Sequence, residues 1–150
     1  MGATHFSGPV VSGDLQQGET NGPNQGFAVL SQSTSITQNS TTAVSSTLYI
    51  PAGSRIVDFN IDVLTAYNSA TSATLTIGTA AAGTQYVGSI DAKTAGRAAI
   101  TYSAAQLAAM NGVTVTGTAA ATTAPVVVTV TPVGATSAGY VVVTVLYVQQ

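Results

Sequence analysis

Between positions 55 and 64 the side chains alternate. Val57, Phe59, Ile61 and Val63 are apolar, and Asp58, Asn60 and Asp62 between them are polar. A period of two puts one set in a core and the other in solvent, so residues 55–64 are expected to form a half-buried strand. Further strands are read at 27–36, 47–50, 73–77, 86–90, 98–102, 113–116, 126–131 and 140–148. Residues 37–46 (TQNSTTAVSS) read as a polar loop or weak edge strand, and Pro51-Ala52-Gly53 as a turn. The last two strands, rich in valine, are expected to form an antiparallel pair joined through residues 132–139. Both are apolar on both faces, which places them centrally or beneath another subunit. Left exposed, VVVTV and VVVTVLYV would be aggregation hazards.

One stretch departs from the strand period. Residues 103–110 (SAAQLAAM) are strong helix formers, Ser103 and Gln106 match a capping box, and Asn111-Gly112 is a stop. A helix of about two turns is expected, with Leu107 and Met110, three apart, facing the core. Residues 1–26 show no sustained period and hold Pro9, Pro23 and several glycines. They read as an extended arm or loop, either disordered or ordered on a neighbouring subunit with Phe6 as an anchor. The fold class is therefore all-β: one antiparallel sandwich over residues 27–150, jelly-roll-like, with one short helix and an N-terminal arm.

Charge changes the picture. The 150 residues carry three Lys/Arg, five Asp/Glu, one histidine and no cysteine. An ordinary domain has about a quarter of its residues charged. After Arg97, fifty-three residues carry no charge. That third of the chain is expected to be core or subunit interface, because interface cores are depleted of charge. Arg55, Lys93 and Arg97 are too few to bind nucleic acid. Without cysteine there are no disulfides or thiolate metal sites. The opening MGATHFSGPVVSGD lacks the basic and apolar regions of a signal peptide, and no apolar run matches a membrane helix. The expectation is a protein made in the cytoplasm, with no membrane or nucleic-acid partner and no cofactor.

Candidate chemistry is sparse. Asp58, Asn60 and Asp62 have the spacing that opens a calcium loop, but Val63 stands where the loop needs Gly and Ser69 where it needs Glu. An exposed strand face fits better, with Arg55 neutralising it. His5, Ser7, Ser12 and Asp14 allow a triad on paper, on a Pro/Gly-rich arm that gives no rigid geometry. Asp91, Lys93 and Arg97 read as local charge pairing around one turn. The six tyrosines, at 49, 67, 86, 102, 140 and 147, read as straddling core and surface rather than lining a sugar site. Thr-x-Thr pairs at 74/76, 114/116 and 129/131 are spaced too irregularly to build one flat repeat face. No catalytic, cofactor or metal residue is assigned.

Two segments look familiar. ATHFSGPVVS (residues 3–12) resembles the openings of small virion proteins of tailed bacteriophages. IPAGSRIVDFNIDVLTAYNSATSATLTIGTA (residues 50–80) resembles their following core: a Pro-Ala-Gly turn, an alternating strand, a Ser/Thr/Ala loop and a Leu-x-Ile-Gly strand. The resemblance implies a capsid decoration, or cement, protein, a β-sandwich often trimeric and bound outside the phage head. The major capsid protein would be its partner, beside further copies of itself. On that reading the arm lies over neighbouring capsid subunits, with His5, Phe6, Val10, Val11 and Phe27 as contact residues. Two other readings stand beside it: a tail, fibre or host-binding module of the same fold, and a metal-dependent carbohydrate binder using Asp58, Asn60 and Asp62.

Overall fold

The computed structural model describes residues 28–38, 40–111 and 123–149. Eight strands and one helix follow in order: β1 (Val29–Thr37), β2 (Val44–Pro51), β3 (Arg55–Thr65), β4 (Ser72–Gly78), β5 (Val87–Asp91), β6 (Gly96–Arg97), α1 (Ala104–Met110), β7 (Thr123–Val133) and β8 (Tyr140–Val148). β2 reaches back to Val44, three residues before its expected start, because Ser46 and Leu48 keep the inward alternation that ends in buried Ile50. Gly53, at φ 80°, turns the chain into β3, and the Ser54 N–H closes that turn on the Pro51 carbonyl at 3.2 Å.

β3 shows the expected alternation, with one change. Phe59, Ile61 and Val63 are buried, but Val57 is 43% exposed. The register against β8 shifts between Ile56 and Asp58 and again between Val63 and Thr65. Each bulge adds one residue to the strand and turns an apolar side chain outward, first Val57 and then Leu64. Ile56 takes the core position that the alternation assigned to Val57.

The strands form two four-stranded antiparallel sheets, β1-β8-β3-β6 and β2-β7-β4-β5. The first strand pairs with the eighth, the second with the seventh, the third with the sixth and the fourth with the fifth. The expected pairing of the two valine-rich strands is therefore corrected: β7 and β8 lie in opposite sheets, each with a neighbour on both sides. The reason is burial. Val126, Val128 and Val130 of β7 and Val141, Val143 and Val145 of β8 all enter one core cluster, joined by Ile50, Ile61, Leu75 and Ile77. Two such strands give each sheet an apolar centre, and stacking the sheets about 10 Å apart removes both inner faces from water.

One side of the sandwich closes through a hydroxyl pair, Thr34 Oγ1 and Ser46 Oγ at 2.6 Å between β1 and β2. The other side closes through residues 98–102 and α1. Residues 98–102, expected as a strand, are not one. The Ala98 N–H bonds the Ile61 carbonyl at 2.9 Å, after which Ala98, Ile100 and Tyr102 turn inward to pack on the core. α1 begins as expected, with Ser103 and Gln106 forming the reciprocal capping box. Met110 is buried, but Leu107 is 52% exposed, contrary to the expectation. Gln106, Ala109 and Met110 fill an arc of about 100° facing the protein, and Leu107 lies on its flank. The expected strand at residues 113–116 and the arm fall outside the described residues.

The end of the sandwich where β3 leaves is tightly tied. Tyr67, 1% exposed, donates its hydroxyl to the Ile36 carbonyl at 3.1 Å. Gln38, also buried, bonds the Gly139 carbonyl through its backbone N–H at 2.9 Å. The Asn68 carboxamide oxygen accepts from the N–H groups of Ser137 and Ala138 at 2.9 and 3.0 Å. A Cβ on Gly139 would overlap the Tyr67 ring, whose atoms are held from both sides. Gly139→Ala is expected to lower the unfolding free energy by about 1–3 kcal/mol, as overpacking does. A urea titration measures it, and Tyr67→Leu in the same chain is expected to restore part of the loss.

Candidate interaction surfaces

On the outer face of β1-β8-β3, β1 and β8 carry no charge and the charged side chains stand on β3. Register places Ser31, Ser33, Ser35 and Thr37 of β1 beside Leu146, Thr144, Val142 and Tyr140 of β8. Beyond β8 stand Asp58, Asn60 and Asp62. Hydroxyls tie the rows, with Ser33 Oγ and Thr144 Oγ1 at 2.7 Å. The outer face of the other sheet carries Ser45, Thr47 and Tyr49 against Thr129, Val127 and Pro125. Here Thr74 pairs with Thr131 and Thr76 with Thr129, so two of the three Thr-x-Thr pairs lie side by side. Strand register, not sequence spacing, brings them together. Residues 79–85 fold back over this array: the Ala82 N–H bonds Thr129 Oγ1 at 2.9 Å, and Thr129 is buried.

Except for Arg55, the charged side chains among the described residues each take part in hydrogen bonds. Arg97 grips Asp62 with two bonds, Nε to Oδ1 at 2.8 Å and Nη2 to Oδ2 at 3.0 Å. The hydrogen bond to Arg97 holds the Asp62 carboxyl below its ordinary pKa; desolvation opposes it, and the Arg97 charge adds to the lowering. Within the described chain it is Arg97, not Arg55, that neutralises Asp62, reaching it from β6, 35 residues away in sequence. Asp58 Oδ1 accepts from the Tyr102 hydroxyl at 2.6 Å and from the Phe59 N–H at 2.8 Å, which fastens residues 98–102 to the first bulge of β3. Asp91 accepts from the Lys93 N–H and the Thr94 hydroxyl, and Lys93 Nζ donates to the Thr71 carbonyl. The expected pairing among Asp91, Lys93 and Arg97 is thus replaced by three separate engagements.

These engagements bear on the calcium-like spacing. Asp58 and Asp62 each hold a partner of their own, and the strand between them keeps them in a line rather than around a point. Among the described residues, no group of three acidic or histidine side chains converges. The tyrosines divide: Tyr67, Tyr86 and Tyr147 are buried, and Tyr86 stands 6.2 Å from Phe59 between ring centroids. His5, Phe6, Val10, Val11 and Phe27, together with Ser7, Ser12 and Asp14, lie outside the described residues. What the described surface offers chemically is hydroxyl hydrogen bonding and apolar contact. Neither the Asp62–Arg97 grip nor the Asp58–Tyr102 clamp has a local signal in the sequence, since their partners are 35 and 44 residues apart.

No protein-family model matches the chain, and no curated protein matches it. A solved structure, described as the capsid asymmetric unit of cyanophage Pam1, contains a chain with a similar fold at a TM-score of 0.61. The two are 23% identical, and the match covers 89% of this chain and 95% of that one. At this identity the likeness is one of fold.

The buried phenols set the alkaline limit of stability. Burial pushes the Tyr67 hydroxyl up to about 12 and raises Tyr86; burial, then the bond to Asp58 and its charge, raise Tyr102 against a small opposing effect of the Phe59 N–H. Their folded pKa values exceed the unfolded value near 10, so their contribution is complete below pH ~10. Above it the unfolded chain loses protons that the folded chain keeps, and stability falls. The urea midpoint is expected to be flat from pH 8 to ~10 and to drop toward pH ~12, less steeply in Tyr67→Phe.

Proposed function

We propose that this chain is a structural virion protein that decorates and stabilises the outside of a phage capsid through protein–protein contacts. The observation that carries the reading is the end-to-end likeness in fold to a chain of a cyanophage capsid asymmetric unit. Two features of the chain support it. The strand order, first with eighth through fourth with fifth, is that of a jelly roll, an architecture common in viral capsid proteins. Its outer faces carry hydroxyls and apolar groups, with the charged residues of the described chain on β3 and over residues 91–97. Such faces suit packing against other proteins, where charges in the interface centre are costly.

The mechanism is clamping. The sandwich sits on the capsid surface as a rigid block, and the arm, residues 1–26, lies over neighbouring subunits of the major capsid protein. Phe6 and Phe27 act as apolar anchors, with His5, Val10 and Val11 as further contacts. Copies associate as trimers, so each particle repeats many weak contacts by symmetry, and avidity replaces any single strong site.

Particles of the phage that encodes this chain test the reading. Heads made without the protein are expected to assemble but to burst at a lower temperature, and added purified protein restores them. Electron microscopy should place it on the head lattice. Light scattering should give three times the chain mass. A chain lacking residues 1–20 is expected to keep its circular dichroism and lose head binding. Density at the tail tip, with heads unaffected by its loss, would overturn the proposal in favour of a host-binding module.

A further inference from the structure

The end of the sandwich where β1 begins carries exposed apolar side chains with nothing over them among the described residues. Val29 and Leu30 open β1, Val57 stands on the first bulge of β3, and Leu107 stands on the flank of α1. They are 57, 41, 43 and 52% exposed. Val29 and Arg55 face Val148 of β8 from its two sides, so two strand spacings, about 10 Å, separate them. Arg55, Ile56, Val57, Leu107, Met110 and Asn111 line a groove of about 340 Å³. The bulge shapes it, since Val57 would otherwise point into the core.

Charge identifies an occupant. Arg97 is held by Asp62, and Lys93 by the Thr71 carbonyl. Arg55, at the mouth of the groove, has no ion pair among the described residues. Asp58, Asp62 and Asp91 are engaged as described above. The two remaining carboxylates of the chain are Asp14 and Glu19, which flank an apolar residue, Leu15, and follow Val10 and Val11. The reach is ample. Val29 lies ten Cα steps beyond Glu19, and an extended chain spans about 33 Å over that length.

We propose that in the isolated protein, before any capsid contact, residues 12–19 of the same chain dock in this groove, with Leu15 seated between Val57 and Leu107 and the flanking carboxylates drawn to Arg55. The tether makes a weak contact sufficient, because a short flexible linker gives an effective concentration in the millimolar range. Docking fixes the direction in which the tip of the arm, with Phe6, leaves the sandwich. The inference concerns the isolated protein and does not depend on the capsid reading.

The chain has no cysteine, so an introduced pair reports without background. The full-length variant Leu15→Cys/Leu107→Cys, oxidised at low micromolar concentration, is expected to form a monomeric disulfide. The pair Leu15→Cys/Leu64→Cys, whose second member lies at the opposite end, should cross-link at least about tenfold more slowly, as expected for a contact enforced by effective concentration. Adding Arg55→Glu to the first pair should slow it at least about threefold, a like charge replacing an opposite one. Circular dichroism confirms that each variant is folded. Equal rates for the two pairs, no effect of Arg55→Glu, or disulfide dimers in place of the monomeric product would each overturn the proposal.

Discussion

The fold depends on the placement of two strands that are apolar on both faces. β7 and β8 each need a strand on either side and a second sheet against the inner face. Paired with each other, they would leave one sheet without an apolar centre and concentrate both valine sets in the other. Placed in opposite sheets, Val126, Val128 and Val130 enter the same core as Val141, Val143 and Val145. The rest follows from that choice. β1 and β3 flank β8, β2 and β4 flank β7, and the short β6 and β5 finish the two edges. The connection over residues 134–139 must cross from one sheet to the other. It is there that Gly139 passes under the Tyr67 ring and that Asn68 fastens the crossing chain.

Placing the apolar strands centrally also decides where charge can go. The central strands carry none, and the positions left for it lie on β3, on the β5–β6 connection and at the margin beyond. Asp58 and Asp62 point outward from β3, and each meets a group from the chain that closes the open side, Tyr102 and Arg97. The exposed Asp62–Arg97 pair contributes little stability in itself, as surface ion pairs do, and the Asp58–Tyr102 bond is part-buried. Their effect is positional: they hold residues 96–102 against an edge that has only a two-residue ladder. The outer faces are left to Ser, Thr, Val and Tyr, surfaces with weak electrostatic resistance to close approach by another protein.

Local patterns in the sequence were reliable where the structure is local. The alternation at 59–63, the Pro51–Gly53 turn and the Ser103/Gln106 box all appear as written, since each needs only neighbours within four residues. What was not legible depends on partners far along the chain. A bulge is defined by the opposing strand, so nothing near Val57 announces that it turns outward. The exposure of Leu107 is set by which arc of α1 meets the sandwich, and the periodicity of seven residues is too short to fix that. β7 and β8 look like a hairpin because they are consecutive and alike, whereas their partners, β2 and β1, lie some eighty and one hundred and ten residues away. The Thr-x-Thr pairs taught the converse. Intervals of 40 and 15 residues argued against a shared face, yet antiparallel register set two pairs together.

The two ends of the sandwich are built differently, and this asymmetry gives the molecule a direction. At the end holding Tyr67, Gln38 and Asn68, loops bond one another. At the other end, β1 and β8 have termini, β3 carries its bulge, and α1 presents its flank. Val29, Leu30, Val57 and Leu107 are exposed there, as Leu64 and Val133 are at the tied end. A block with hydrogen-bonded loops at one end and a groove lined by Val57 and Leu107 at the other presents different chemistry at its two ends. The described chain also begins at this second end, one residue before Val29, on the side that holds the groove between Val57 and Leu107.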